Sequence, residues 1–170
     1  GGDEISVRLG KAKAFFVNGL PLVVVELKSP SRENTDVSEA YAQLRNYMQE
    51  IPSLFIYNAF CVMSDHAITK AGTITAGFMA WKTVDGSMED RSCAGFDVLF
   101  RGMFDKVRLV ELIRNFLCFS KDGKQSAKIL GAYHQFYAVR KAVLSTMEAA
   151  RTDGKGGVFW HTQGSGKSFS

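Results

Sequence analysis

Glu26 and Lys28 stand two residues apart at the end of an apolar, valine-rich run covering residues 22–27. Side chains alternate along a strand, so the acid and the amine share one face. A carboxylate in that position can hold a divalent cation, and a lysine beside it can orient or activate a water for hydrolysis. Glu-x-Lys on its own is common, and a solvated strand end accounts for most examples. Here the run before it reads as buried, so the two charges must either emerge into solvent or pair within a polar site. Gln43 and Tyr47, in the next predicted helix, are four residues apart and share one helical face, with Arg45 nearby as a candidate phosphate ligand. Far downstream, Gly164-Ser165-Gly166-Lys167-Ser168 follows a short apolar run. Backbone N–H groups of such a loop cradle phosphates, the lysine reaches the β and γ oxygens, and the serine ligates Mg²⁺.

The elements that must position these residues follow from pattern. Residues 14–17 and 22–27 flank Asn18-Gly19-Leu20-Pro21 and predict a β-hairpin with a buried second strand. Asp36, with Glu39 three residues on, can cap a helix that runs through Ala40, Tyr41, Leu44, Tyr47 and Met48 and stops at Pro52. Residues 54–63 and 73–75 read as sheet strands. Residues 77–96 lose their period and read as an irregular excursion. Residues 107–119 and 127–150 show helical spacing, with Lys121-Asp122-Gly123-Lys124 as a solvated turn between the two helices. Residues 151–157 form a linker, and Val158-Phe159-Trp160 a short strand leading into the phosphate loop.

Composition sets the bounds. The 170 residues are 46% hydrophobic, enough for one main domain and a tail. The net charge of +4, from 21 Lys+Arg against 17 Asp+Glu, suits a polyanionic partner without requiring one. Cys61, Cys93 and Cys118 form no CxxC pair, and His66 and His161 have no partners at zinc-ligand spacing. No apolar run reaches the roughly 18 residues needed to span a bilayer, and no presequence is recognisable. The expectation is a soluble, cytoplasmic protein. Asp65 reads as a turn residue, and Trp81 and Trp160 as core or interface residues.

Taken in order, the hairpin ending in Glu26-Leu27-Lys28, the Gln43-x-x-x-Tyr47 helix and the loop His161-Thr-Gln-Gly-Ser-Gly-Lys-Ser168 resemble the restriction (R) subunit of type I restriction-modification enzymes, from about residue 12 to residue 170. Each motif alone is unspecific, whereas their order and combination are not. The resemblance implies an α/β restriction-endonuclease-like core of the PD-(D/E)xK type, a mixed sheet flanked by helices, followed by the start of a RecA-like, superfamily 2 motor. It assigns Glu26 as Mg²⁺ ligand, Lys28 as catalytic lysine, and Gln43 and Tyr47 as supporting groups. Gln135, placed before the loop, would read the adenine of ATP, and Gly164, Ser165, Gly166, Lys167 and Ser168 would hold its phosphates. Implied domains are 1–122 (endonuclease-like), 123–157 (helical connector and linker) and 158–170 (first strand and loop of a truncated motor). Implied partners are double-stranded DNA and methylation and specificity subunits.

One position departs from the pattern, which requires an aspartate on the first hairpin strand. Taking the turn centre near Gly19, Glu26 lies seven residues after it and faces Ala12, seven before. Ala12 has no ligand atom, and Asp3 and Glu4 reach the site only through a sharp reversal of the chain. Two readings therefore stand: a Mg²⁺-dependent nuclease coupled to ATP-driven translocation, or a catalytically silent, nuclease-shaped DNA-binding or docking domain. A third, a phosphate-loop ATPase with an unrelated N-terminal domain, requires Glu26 and Lys28 to point away from Gln43 and Tyr47.

Overall fold

The computed structural model describes residues 7–9, 12–28, 37–65, 68–87, 95–122 and 125–160. The chain divides into two compact units, Gly1–Leu130 and Gly131–Ser170.

The first unit is a mixed α/β fold built on a six-stranded sheet in simple sequence order. Its strands are β1 (Val7–Leu9), β2 (Ala12–Val17), β3 (Leu20–Leu27), β4 (Phe60–Ser64), β5 (Thr69–Thr73) and β6 (Gly77–Ala80). Only the β3–β4 pairing is parallel, as the intervening α1 (Val37–Glu50) requires, since parallel neighbours need a crossover. The β2–β3 turn is Asn18-Gly19, with φ of 50° and 80°. Both angles lie in the left-handed region that a tight two-residue hairpin demands and that Asn and Gly tolerate best.

The two faces of the sheet are covered differently. Ala14, Val24, Cys61 and Met63 meet Ala40 and Leu44 of α1 and Leu54 of a 3-10 turn, Pro52–Phe55. The alternate side chains meet α2 (Gly95–Met103), where Phe15 packs against Phe100 and Phe104, and Phe60 against Phe104. The third helix, α3 (Lys106–Asn115), begins at Asp105, whose carboxylate accepts a hydrogen bond from the Arg108 amide at 3.1 Å. It leads into a separate hairpin, β7 (Leu117–Asp122) and β8 (Gln125–Leu130). Thr75 ties this hairpin to the main sheet, accepting from the Lys128 amide at 2.8 Å.

Several expectations are corrected. The stretch 77–96 is not wholly irregular: it holds β6 and the start of α2, and Trp81 is buried between them in sequence. Residues 54–59 turn before β4 begins, because Pro52 starts a 3-10 turn rather than a strand. The strand after β4 covers Thr69–Thr73 rather than 73–75. Residues 117–122 and 125–130 form a β-hairpin, which shortens the helices expected over 107–119 and 127–150; pairing with each other satisfies the strands' backbones. Of the segment 121–124, Lys121 and Asp122 belong to β7, and Gly123 and Lys124 lie outside the described residues. Asp36 is also outside them.

In the second unit, α4 (Tyr133–Ala149) starts from Ala132, which has no capping side chain. The Gln135 side-chain oxygen accepts from the Ala132 amide at 2.8 Å instead. The chain then turns back, and the Ser145 hydroxyl donates to the Gly156 carbonyl. Residues 155–160 run without regular secondary structure where the sequence predicts a strand over 158–160, and Val158 and Trp160 are exposed.

Candidate functional site

The site grows from one irregularity in the β2–β3 hairpin. Next to the turn, Val17 pairs with Leu20 and Phe16 with Pro21; beyond it Phe15 pairs with Val23, so Leu22 is an extra residue on β3. Pro21 has no N–H to donate, and the ladder breaks beside it. The Leu22 carbonyl is taken up by the Ala59 amide at 2.7 Å. This bulge moves the register by one and brings Glu26 opposite Ala12. Both are 1% exposed. The chain also reverses ahead of β2, where Leu9 pairs with Ala12, while Asp3 and Glu4 lie outside the described residues.

Glu26 is therefore a carboxylate within the sheet, on the face covered by α1. The Lys28 ammonium lies 3.3 Å from its Oε1, with the lysine side chain only 17% exposed. Lys28 is held in line by its backbone, since its amide donates to the Ser64 carbonyl at 2.8 Å and extends the β3–β4 ladder. From α1, Tyr47 faces the same carboxylate. Burial and the negative charge of Glu26 push the Tyr47 phenol above its ordinary range, and a hydrogen bond from Gln43 pulls it partly back. Glu26, Lys28, Gln43 and Tyr47 are thus neighbours in one cluster, and the reading in which the first two point away from the others does not fit this geometry. Arg45 is exposed, and at 100° per residue it projects from the side of α1 away from Gln43 and Tyr47.

Cross-strand neighbours share a face, so the Glu26 row continues through Met63 on β4 to Lys70 on β5 and Ala80 on β6. Lys70 did not stand out in the sequence, because only strand register connects it to Glu26. Asp65 serves as a turn residue: its Oδ1 accepts from the Ile68 amide at 2.6 Å.

The donors available to a metal are few. Among the described residues there is no cluster of three His, Cys, Asp or Glu side chains. Glu26 offers one carboxylate, already beside an ammonium, and Ala12 across from it offers none. Among the described residues, this single carboxylate is at the low end of the one or two that, with water and substrate phosphates, hold Mg²⁺. The loop residues Gly164, Ser165, Gly166, Lys167 and Ser168 lie outside the described residues. Gln135 is buried, and its side-chain oxygen bonds the start of its own helix. No helix among the described residues is long and apolar enough to cross a membrane.

Comparison with known proteins places this geometry in context. Residues 14–79 match the family described as type I restriction enzyme R protein N terminus, and residues 134–170 match the SWI2/SNF2 ATPase family. The type I restriction enzyme HindI endonuclease subunit of Haemophilus influenzae is 43% identical over 91% of this chain and 16% of its own length. Two Methanocaldococcus jannaschii proteins carry provisional names as the MjaIXP and MjaVIIIP type I restriction enzyme endonuclease subunits. They are 30% and 32% identical, each over 91% of this chain, and over 17% and 15% of their own lengths. The chain spans about one sixth of the length of these relatives, 15–17% in each case.

Proposed function

Because the chain belongs to the type I restriction enzyme R protein family, as its N-terminal region, we propose that the Glu26 cluster is a PD-(D/E)xK-type nuclease centre directed at a phosphodiester of double-stranded DNA. In a complete subunit its work is coupled to ATP-driven translocation by a RecA-like motor whose phosphate loop is Gly164–Ser168. Methylation and specificity subunits supply sequence recognition, and the assembly works in the cytoplasm.

The observation that carries this reading is the buried Glu26–Lys28 pair with Tyr47 against it. Replacing a buried ion pair by apolar side chains is often neutral or stabilising, by ~1–4 kcal/mol. A pair placed at the end of a valine-rich strand is therefore poorly explained by stability and well explained by chemistry. Glu26 supplies the anionic oxygen, Lys28 holds a proton beside it, Tyr47 orients the carboxylate, and Gln43 holds the Tyr47 hydroxyl. Mg²⁺, when held at such a centre, supplies Lewis-acid activation of water and phosphate.

The same geometry favours a second statement about this chain as it stands. With alanine opposite Glu26, the centre lacks the aspartate of the PD-(D/E)xK pattern, and in this second reading the domain is a catalytically silent DNA-binding or docking module. The test is cleavage of covalently closed plasmid DNA by the assembled enzyme in the presence of Mg²⁺ and ATP. The parent sequence is expected to leave the plasmid intact, and Ala12→Asp to convert it to nicked and linear forms. Cleavage by the parent at the rate of the Ala12→Asp enzyme would refute the silent-site reading. No cleavage by Ala12→Asp would refute the nuclease reading.

A further inference from the structure

Residues directly opposite one another on adjacent strands point to the same side of a sheet, and the register Glu26–Met63–Lys70 places a second lysine level with the acid. Two strand spacings separate them, on the order of 10 Å, or roughly three nucleotide rises of duplex DNA. Lys70 is the one residue of β5 that is not buried. Its neighbour on the far side, Ala80 on β6, is too small to cover it. Among the described residues it has no carboxylate within ion-pair distance. An ammonium held half-buried on a sheet, with room on one side and no acid beside it, is placed to meet an external anion.

We infer that Lys70 is a DNA-phosphate contact of this site, gripping the backbone a few nucleotides from the phosphodiester at Glu26. This rests on the reading of Glu26 as facing DNA, and it adds a footprint: the DNA backbone passes the ends of β3, β4 and β5 that carry Glu26, Met63 and Lys70. Lys13 provides the internal control. It is exposed and carries the same charge, but it alternates with Ala12 along β2 and points to the opposite face.

The experiment measures binding of a fluorescent duplex to the full 170-residue chain by anisotropy across a salt series, in chelating buffer and with two unrelated DNA sequences. A lost phosphate contact lowers the slope of log K against log salt by about 1 and weakens binding uniformly across sequences. Lys70→Ala and Lys70→Gln are expected to show that loss, Lys70→Arg to retain the parental slope, and Lys13→Ala to leave it unchanged. Circular dichroism melting of each variant reports folding. Equal losses in Lys13→Ala and Lys70→Ala would overturn the inference, since the effect would then be one of general charge. A parental slope in Lys70→Ala alongside a reduced slope in Lys28→Ala would overturn the assignment of Lys70 and leave the Glu26 site standing. Parental slopes in both would overturn the two together.

Discussion

Ala12→Asp is expected to lower the melting temperature by about 5–10 °C in chelating buffer, and to regain most of that loss in millimolar Mg²⁺. Residue 12 and Glu26 are each 1% exposed and directly paired across β2 and β3. Their Cβ atoms are therefore separated by ~5 Å. A second carboxylate in that space is desolvated and faces like charge, a cost of a few kcal/mol. In a chain of this size each kcal/mol lost shifts the midpoint by about 2–4 °C. A metal that binds only the folded state returns ~2.7 kcal/mol at a hundredfold excess over its dissociation constant. The parent, with its single carboxylate already beside Lys28, is expected to melt at one temperature with or without Mg²⁺. Differential scanning calorimetry of both proteins, with chelator and with Mg²⁺, gives the comparison. An Ala12→Asp protein indifferent to metal would show that the two positions do not form a metal pair.

The second large effect is structural. Leu44 is fully buried between the sheet and α1, among Ala14, Val24, Ala40, Leu54, Cys61 and Met63. Leu44→Ala removes its contacts and leaves a cavity, at a cost of about 2–5 kcal/mol. Its neighbours in sequence include Gln43, and Tyr47 lies one turn further on, so the residue that anchors α1 also seats the helix side of the site. Urea unfolding is expected to show a lower midpoint with an unchanged slope. Leu144→Ala on α4, where the side chain is 65% exposed, is expected to change stability by less than ~0.5 kcal/mol. A loss at Leu44 no larger than that at Leu144 would contradict the packing described here.

What the sequence revealed of this fold divides along local and non-local lines. The Asn18-Gly19 turn, the valine-rich strand and the helical face of Gln43 and Tyr47 are local signals; the helix formed as read, whereas Leu20 and Pro21, read as part of the turn, belong to β3. The facing of Ala12 and Glu26 was reached by counting from Gly19, yet the turn centre actually lies between Asn18 and Gly19. Counting from there pairs Ala12 with Val25, and only the bulge at Leu22 restores Glu26. Pro21 was the available sign, since a residue without an N–H interrupts the ladder on its own strand. The β7–β8 hairpin was missed because its strands lack strict alternation, and each takes its shape from pairing with the other. Lys70 was missed for a related reason: its place beside the site exists only after β3, β4 and β5 have paired.

The proposed function requires above all that the Glu26 carboxylate face a DNA phosphate. Its most direct test is duplex binding by Glu26→Gln in chelating buffer, measured against the parent at fixed salt. Removing a unit charge near a phosphate relieves ~1 kcal/mol of repulsion for a separation of about 4 Å in water, which corresponds to binding tighter by about fivefold. Tighter binding of that order is the predicted result, and affinity equal to or weaker than the parent's would contradict it.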